Sequence, residues 1–252
     1  MKLISLNIFK GCKLKEIIEW LKLENPDLVA LQEVMSLPGT GDNFIVINGE
    51  TLNSLEILQT KLCDYQIYFS PELKTNIGGR QVLYGNAFLS KLHIRKKKTH
   101  FIYEKYADNF NPPMGVPFDN EPKCLQKINV TLNEKNISII NLHGLWQIGN
   151  YKGDSEKVTE MIKNIISQYN KNEPTIICGD FNLTPNTQAI LKISNYLTNL
   201  TTKLNKFSTK TILSKTQEVI DYVFVNKQIK VVGFEIPEIV ISDHKPQILT
   251  FQ

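Results

Sequence analysis

Two observations predict that the chain folds as an α/β (α+β) domain. The order strand, helix, strand occurs near the start of the chain and again towards its end, and this order is typical of neighbouring strands of one sheet with a helix packed across them. The length of 252 residues suits one large domain, residues 1–252, better than two small ones. The repeated order permits two related sheets but does not establish them.

The first helix is predicted at residues 13–24, where apolar residues recur three and four positions apart. It ends before a proline, because the residue that precedes a proline avoids the helical region. The apolar segments on either side, residues 2–6 and 27–31, are predicted to be strands. Polar residues follow both of them, with Asn7 after the first strand and Glu33 after the second.

The middle of the chain is predicted to alternate strands with loops. The predicted strands lie at residues 65–69, 83–89, 93–103, 123–132 and 136–141, with a short helix at residues 52–62. Residues 35–48 and 75–80 are predicted to be loops because of their glycines. Residues 104–122 contain several prolines and no periodicity, as in functional lids or disordered segments. Residues 133–135 separate two apolar runs and predict a hairpin.

The second half of the chain contains the other strong helix signal. An apolar stripe at helical spacing runs through residues 155–169, and Asp154 or Ser155 can cap the first turn. A weaker helix is predicted at residues 187–194, whereas residues 196–215 show little pattern. Strands are predicted at residues 219–225, 229–234 and 247–251.

A carboxylate and a carboxamide follow the buried apolar run at residues 176–178. Asp180 and Asn182 lie two positions apart, so their side chains share one face if the chain there is extended. Open α/β sheets hold their chemistry at strand ends, which favours a functional site. The same residues also suit a turn that closes a strand, because Asp and Asn are common turn residues. This stretch by itself leaves both interpretations open.

Composition and charge narrow the class of protein. The formal net charge of +4 fits a polyanionic substrate without requiring one. The four cysteines are scattered, which disfavours a zinc site and predicts reduced thiols in a cytoplasmic protein. The first apolar run is too short for a signal peptide, and no run is long enough to span a bilayer, so we expect no membrane segment.

Polar side chains end or interrupt the apolar runs along the whole chain. They are Asn7, Glu33, His143, Asp180, Asn182, Asp221, Asp243 and His244. Burying unpaired charge is costly, so such groups are expected to pair or to coordinate a metal. The set is rich in oxygen and lacks thiols, which favours Mg²⁺, with Mn²⁺ as a substitute. Two histidines near a phosphate offer an acid and a base, so the set predicts phosphoryl transfer.

Four short segments resemble the signature blocks of the endonuclease/exonuclease/phosphatase superfamily. They are Ala30-Leu31-Gln32-Glu33-Val34, Gly179-Asp180-Phe181-Asn182, Ile220-Asp221-Tyr222 and Ser242-Asp243-His244. Their order and spacing agree with that superfamily from Asn7 to His244. The resemblance implies a four-layer α/β/β/α sandwich of two packed mixed β-sheets flanked by helices, with the site at one edge of the sheets.

The resemblance also implies a metal site and a position for the attacking water. Glu33 would be the principal Mg²⁺ ligand, with Asn7 and Asp243 beside it. Asp180 would orient or deprotonate the water. Asn182 would hold Asp180 or the phosphate.

Each of the two histidines has an implied role as well. Asp221 would fix the ring of His244, which would bind the phosphate or act as a base. His143 matches a histidine of the deoxyribonuclease I and sphingomyelinase branches. In the deoxyribonuclease branch a glutamate lies near that histidine, but residues 80–86 of this chain contain no carboxylate. The partner of His143 therefore stays open.

From the resemblance we expect a Mg²⁺-dependent phosphodiesterase that cleaves nucleic acid. One alternative is a phosphatase or phosphodiesterase acting on a small-molecule or lipid phosphoester at the same site. Another is a catalytically silent binding protein of the same fold. We expect a monomer without a stable protein partner.

Overall fold

The computed structural model describes residues 1–111, 120–132, 135–147 and 152–252. The strands are β1 (Lys2–Asn7), β2 (Leu28–Ser36), β3 (Val46–Ile47), β4 (Glu50–Thr51), β5 (Gln66–Ile77), β6 (Arg80–Ser90), β7 (Lys96–Tyr103), β8 (Lys123–Leu132), β9 (Lys135–His143), β10 (Thr175–Asp180), β11 (Thr198–Asn199), β12 (Asp221–Val225), β13 (Val231–Glu235) and β14 (Gln247–Phe251). The helices are α1 (Leu14–Glu24), α2 (Ser54–Lys61), α3 (Glu156–Ser167), α4 (Gln188–Ser194) and α5 (Leu200–Lys203), with a 3₁₀ turn at Phe9–Gly11.

The strands form two large mixed sheets with related topology. The first sheet has the order β13-β14-β1-β2-β6-β5 and the second has the order β11-β12-β10-β9-β8-β7, while β3 and β4 form a separate hairpin. Each large sheet contains one parallel pair, β1 with β2 and β9 with β10. In each pair the connection contains a helix, α1 or α3. The two strand–helix–strand units expected from the sequence are therefore present, one in each sheet.

Three apolar layers hold the helices and sheets together. Side chains from both sheets, among them Phe88 and Ile139, form the central layer. On the outer face of the first sheet, Ile17 of α1 and Leu58 of α2 complete a second layer. Ile162 of α3 belongs to the third layer, on the outer face of the second sheet. Burying each such side chain contributes about 1.5–3 kcal/mol to folding. The result is the four-layer sandwich, which confirms the predicted fold class.

Local signals fix the helix ends. Asn25 ends α1 in the left-handed region with φ 48°, immediately before Pro26. Ser155 caps α3, because its side chain accepts a hydrogen bond from the Val158 N–H. Asp154 instead accepts hydrogen bonds from the first backbone N–H groups of α4. None of the described helices combines the length and apolar character needed to cross a membrane.

Several predicted elements differ from the observed ones. Residues 75–80 are a hairpin, since β5 pairs with β6 as far as Ile77 opposite Arg80. The strand expected at residues 27–31 runs on to Ser36 as β2, because it pairs with β6 beyond a bulge. Residues 196–215 contain the short elements β11 and α5. Tertiary pairing, which local sequence does not encode, extends these strands.

Two predicted connections fall partly outside the described residues. For the segment 104–122, residues 112–119 lie outside, and the preceding part pairs with β5 through Ala107 and Leu73. For the hairpin at residues 133–135, the two turn residues 133–134 lie outside. Its strands β8 and β9 pair in antiparallel fashion up to Leu132 opposite Lys135, as predicted.

Candidate active site

The candidate site continues the central apolar layer at one end of the two sheets. Along β10, Ile176 and Cys178 face the central layer and Ile177 faces the helices. Side chains alternate along a strand, so Asp180 continues the row of Ile176 and Cys178. Along β1, the same alternation places the Asn7 side chain on the face of the sheet that Leu3 occupies. Asn7 and Asp180, the last residues of β1 and β10, therefore arrive at a shared edge.

The pairing register brings three of these residues side by side. Asp180 lies opposite His143 in the parallel pair of β10 and β9. Asp180 also lies opposite Asp221 in the antiparallel pair of β10 and β12. Asp221 was predicted to lie inside a strand, but the structure corrects this, because it is the first residue of β12. Its neighbour in the fold is therefore the end of β10, at the edge of the sheet.

A β-bulge places Glu33. The register between β2 and β6 shifts between Leu31 and Val34, and Glu33 has φ 60°. A bulge re-aims the side chains around it. The preceding residue, Gln32, lies between the sheets and donates a hydrogen bond to Asn141 Oδ1 at 2.7 Å. Glu33 was predicted to end its strand, and the structure places it at an irregularity within the strand.

Asn7 connects the two halves of the site. Its Nδ2 donates hydrogen bonds to Glu33 Oε1 and to Asp180 Oδ2, each at 3.1 Å. Its Oδ1 accepts a hydrogen bond from the Phe9 N–H at 2.9 Å. In this orientation the amide nitrogen faces the carboxylates. The amide oxygen would have to turn towards them before Asn7 could bind a metal.

Asp180 forms a turn with one carboxylate oxygen and lies in a polar cluster with the other. Its Oδ1 accepts a hydrogen bond from the Asn182 N–H at 2.9 Å, which is an Asx-type turn. Its Oδ2 lies in the polar cluster, at 3.8 Å from His143 Nε2 and 3.5 Å from His244 Nε2. Asn182 has φ 54°, and its Nδ2 donates to the Gly144 carbonyl at 3.3 Å. Burial raises the pKa of Asp180 to about 6, with the Asp221 charge adding to this and the His244 charge opposing it.

His244 forms a closely held pair with Asp221. Its Nδ1 lies 2.9 Å and 3.0 Å from the two carboxylate oxygens of Asp221. Thr209 Oγ1 donates a further hydrogen bond to Asp221 Oδ2 at 2.6 Å. Burial alone would lower the pKa of His244. The charges of Asp221 and Asp180 outweigh burial and raise that pKa to about 9.

His143 has a different environment from His244. Its Nε2 lies 3.9 Å from Glu33 Oε1, and its buried Nδ1 has no hydrogen-bond partner in the described part of the chain. Burial, with the nearby charges of Lys123 and His244, holds the pKa of His143 well below its ordinary value. The ring is therefore neutral near pH 7.

Lys210 also lies in the site, although no pattern in the sequence predicted it. Its Nζ lies 2.8 Å from Asp243 Oδ2 and 2.6 Å from His244 Nε2. Burial alone would lower the pKa of Lys210, but the charges of Asp243 and Asp180 raise it above its ordinary value. The lysine reaches the site through an isolated backbone bridge between Lys210 and His244. Only the folded chain brings these two segments together.

The polar cluster opens into a cleft of about 660 Å³. Asp180, His143 and Lys210 lie among its lining residues. Phe9 and Trp146 also line it, and each is 37% exposed. A cleft of this size is typical of small-molecule sites.

The donor set of the site fits a hard divalent cation. Carboxylates outnumber cationic side chains in the cluster, so the site has an excess of negative charge. The ligand atoms of Asp180, Asp221 and His244 lie within 4.8 Å of one another. However, Asp221 and His244 hydrogen-bond each other, and Lys210 takes the remaining ring nitrogen. The Glu33 carboxylate, whose Oε1 accepts a hydrogen bond from Asn7, is therefore better placed to hold a metal.

Comparison with known proteins gives the family of the chain. Residues 4–244 match the sequence model of the Endonuclease/Exonuclease/phosphatase family, and the chain belongs to this family of phosphoester hydrolases. A search of curated proteins found no match.

Solved structures with the same fold cover this chain completely. An endonuclease/exonuclease/phosphatase family protein from Leptotrichia buccalis C-1013-b is 18% identical, with a TM-score of 0.74 and 99% of its own chain covered. The mannosyl-6-phosphatase of Bacteroides thetaiotaomicron VPI-5482 is 16% identical, with a TM-score of 0.71 and 99% coverage. The catalytic domain of human nocturnin, solved with a bound sulfate anion, is 17% identical, with a TM-score of 0.68 and 94% coverage. At these identities the likeness shows the fold alone.

Proposed function

We propose that the chain hydrolyses phosphodiester bonds in nucleic acid by in-line attack of an activated water, with Mg²⁺ as its cofactor and Mn²⁺ as a substitute. The observation that carries this proposal is the convergence on Asp180 Oδ2 of Asn7, His143 and His244 within 3.8 Å. Hydrolysis of a phosphoester needs a positioned water and positive charge around the phosphate oxygens. Asp180 is suited to orienting a water, and His244 is suited to contacting a phosphate oxygen.

Glu33, Asn7 and Asp243 would hold the divalent ion. When bound, the ion would neutralise charge on a phosphoryl oxygen. Glu33 is the least engaged of the three, since its Oε1 receives a single hydrogen bond, from Asn7. Asp243 Oδ2 accepts a hydrogen bond from Lys210 Nζ, so the other carboxylate oxygen, Oδ1, would face the metal.

Asp180 would accept the proton of the attacking water. Its pKa of about 6 suits a base near neutral pH, because a carboxylate with that pKa is ionised and still basic enough to take a proton. The Asx turn to Asn182 fixes the direction of the carboxylate. The pair of His244 and Asp221 would bind the phosphate, and His143 would donate a hydrogen bond to it as a neutral ring.

The two exposed aromatic side chains in the cleft support nucleic acid as the substrate. Phe9 and Trp146 offer flat apolar faces beside a phosphate-binding centre. Stacking of a base on such a face contributes about 1–3 kcal/mol per base. The cytoplasm is the proposed location, since the four cysteines are free thiols and two of them, Cys124 and Cys178, are buried.

A small phosphoester is the second candidate substrate, and the charge of the cleft favours it. Five lysines and five carboxylates occur among the described residues that line the cleft, so the lining is not strongly basic. A groove that follows a nucleic-acid backbone is normally basic. The fold is also shared with a mannosyl-6-phosphatase.

An assay of the purified chain with Mg²⁺ against single-stranded RNA, single-stranded DNA, plasmid DNA and small sugar and lipid phosphoesters tests the proposal. We expect cleavage of nucleic acid, with binding that weakens steeply as salt rises, because counterions are released from the backbone. Cleavage of a small phosphoester alone, with a flat salt dependence, would establish the second candidate. No hydrolysis of any member of the panel would indicate a silent binding protein.

A further inference from the structure

Lys210 occupies a position in the site at which a second metal ion would otherwise find ligands. We propose that the Lys210 ammonium is the second cation of the site, binding a phosphoryl oxygen and restricting the site to one divalent ion. This inference rests on the proposed function, since it concerns the same centre.

His244 has a close neighbour at each of its two ring nitrogens. Its Nδ1 lies 2.9 Å from Asp221 Oδ1, and its Nε2 lies 2.6 Å from Lys210 Nζ. A histidine binds a metal through a ring nitrogen that is not otherwise engaged. Both nitrogens of this ring have partners. A divalent ion could therefore use His244 only after displacing Lys210.

One carboxylate oxygen of Asp243 is also occupied by Lys210. Its Oδ2 lies 2.8 Å from Lys210 Nζ, so the ammonium bridges Asp243 and His244. A second divalent ion beside Asp180 would need ligands from these two residues, because Asp221 is engaged by His244 and Thr209. The ammonium supplies the positive charge that such an ion would bring.

The backbone holds Lys210 firmly in this position. The Thr211 N–H donates to the Asp243 carbonyl at 2.9 Å, and the Lys245 N–H donates to the Thr209 carbonyl at 2.7 Å. These bonds tie both neighbours of Lys210 to the segment that carries Asp243 and His244. The lysine itself is only 6% exposed. Its side chain is therefore preorganised, which lowers the entropy lost when a ligand binds.

The lysine can still bind a phosphate. An ammonium group carries three N–H donors. Among the described residues, Asp243 Oδ2 accepts one of them, and Lys210 lines the cleft. A hydrogen bond between an ammonium and a phosphate oxygen is charge-assisted and strong. The donors that do not face Asp243 thus give the site a fixed contact for a phosphoryl oxygen.

Counting bound Mn²⁺ tests the claim of a single ion without any activity measurement. We would titrate the wild-type chain and Lys210→Met with Mn²⁺ and follow free Mn²⁺ by electron paramagnetic resonance. We expect one ion per wild-type chain. Lys210→Met should take up a second ion, because it frees Asp243 Oδ2 and removes the ammonium from the space beside His244 Nε2.

Binding of inorganic phosphate tests the second claim. Calorimetric titration, without metal and with one equivalent of Mn²⁺, should show that Lys210→Met binds phosphate at least about tenfold more weakly than the wild type, the loss expected for one hydrogen bond to a charged group. Lys127→Met is the matched control. Lys127 is also partly buried and bonded to a backbone carbonyl, that of Gln168 at 3.0 Å, but it does not line the cleft. It should behave as the wild type in both titrations.

Three results would overturn the inference: two ions on the wild-type chain, a single ion retained by Lys210→Met, or unchanged phosphate affinity in Lys210→Met. Thermal unfolding of both variants would check that the fold persists, and the wild-type ion count stands even if Lys210→Met fails to fold. Absence of any Mn²⁺ binding by the wild type would contradict the proposed metal dependence, and the single ion with it. The phosphate titration without metal would still report on the contact made by Lys210.

Discussion

Asp180 uses its two carboxylate oxygens in different ways. One oxygen fixes the turn by accepting the Asn182 N–H, and the other lies among the polar side chains of the site. A residue of this kind serves the local structure and the proposed chemistry together. A substitution that keeps the turn and removes the charge can separate these two contributions.

We predict that Asp180→Asn folds normally and loses turnover. The amide oxygen can still accept the Asn182 N–H, but an amide cannot take a proton from water. Turnover should fall by about 10²–10⁴-fold, the contribution of a positioned general base. KM should change little, because ground-state contacts persist. Steady-state kinetics on the best substrate of the panel would measure both, and near-normal turnover would leave Asp180 as a turn residue only.

His143 allows a second prediction at the scale of the residue. Its pKa is held well below the ordinary value by burial and by the charge of Lys123, so it has no extra proton to give near pH 7. We therefore expect His143→Ala to slow hydrolysis of activated aryl and unactivated alkyl phosphoesters by the same factor. A general acid behaves differently, because its loss spares substrates with good leaving groups. A selective loss on the alkyl ester would show that His143 is the acid.

At the scale of elements, the ends of β9 and β10 meet at glycines. A Cβ on Gly144 would lie 2.2 Å from the Phe181 carbonyl oxygen, and a Cβ on Gly179 would lie 2.0 Å from the Leu142 carbonyl oxygen. Any larger residue would push the two strands apart. The strand ends that carry His143 and Asp180 therefore depend on this close backbone approach.

We predict that Gly144→Ala destabilises the fold by about 1–3 kcal/mol, the range for overpacking a tight site. It should also lower activity, because the Gly144 carbonyl accepts the Asn182 side chain. Urea unfolding would give the free energy. Gly233→Ala is the control, since a Cβ there meets only Thr250 Cβ at 4.0 Å. Equal effects of the two substitutions would refute the close-approach argument.

The elements also show where the sequence was informative. Residues with uniform local patterns, such as the stripe of α1 and the apolar run of β10, were predicted nearly to their ends. Glu33 was misplaced because its bulge arises only when β2 pairs with β6. Lys210 was missed because its segment has no periodicity and reaches the site only through a tertiary bridge. Local patterns encode which face of a strand is buried. Pairing between strands decides where a strand bends and which distant segments reach its end.

At the scale of the whole molecule, a buried acid links the two sheets. Glu72 of β5 accepts a hydrogen bond from the Cys124 N–H of β8 at 2.8 Å. Lys123 Nζ lies 3.7 Å from Glu72 and closer, at 2.9 Å, to Glu121. Burial raises the pKa of Glu72 to about 7. The charge of Lys123 offsets only part of this rise, because Lys123 lies closer to Glu121. The folded chain therefore favours the protonated form of Glu72.

This shift predicts a pH dependence of stability. The stabilising contribution of Glu72 is fully present below the unfolded pKa of 4.5 and is lost as pH rises through the folded pKa of about 7. The loss is about 1.4 kcal/mol per pKa unit. We would measure the free energy of unfolding in urea between about pH 4 and 8, a range that contains both pKa values. This free energy should decline less with rising pH for Glu72→Gln than for the wild type.

The variant keeps an oxygen that can accept the Cys124 N–H, so the link between the sheets persists. Glu160→Gln, a substitution of an exposed acid on α3, is the control and should follow the wild type. Parallel curves for Glu72→Gln and the wild type would show that Glu72 does not titrate in this range.

The prediction that tests the central claim most directly is metal dependence of hydrolysis, because the proposed function assigns the acids at one edge of the two sheets to a divalent ion. After treatment with excess chelator the wild type should be inactive, and added Mg²⁺ or Mn²⁺ should restore full activity. Glu33→Gln should fold normally and need a much higher metal concentration, since the amide keeps the shape and loses the charge. Full hydrolysis in excess chelator, or an unchanged metal requirement in Glu33→Gln, would contradict the account.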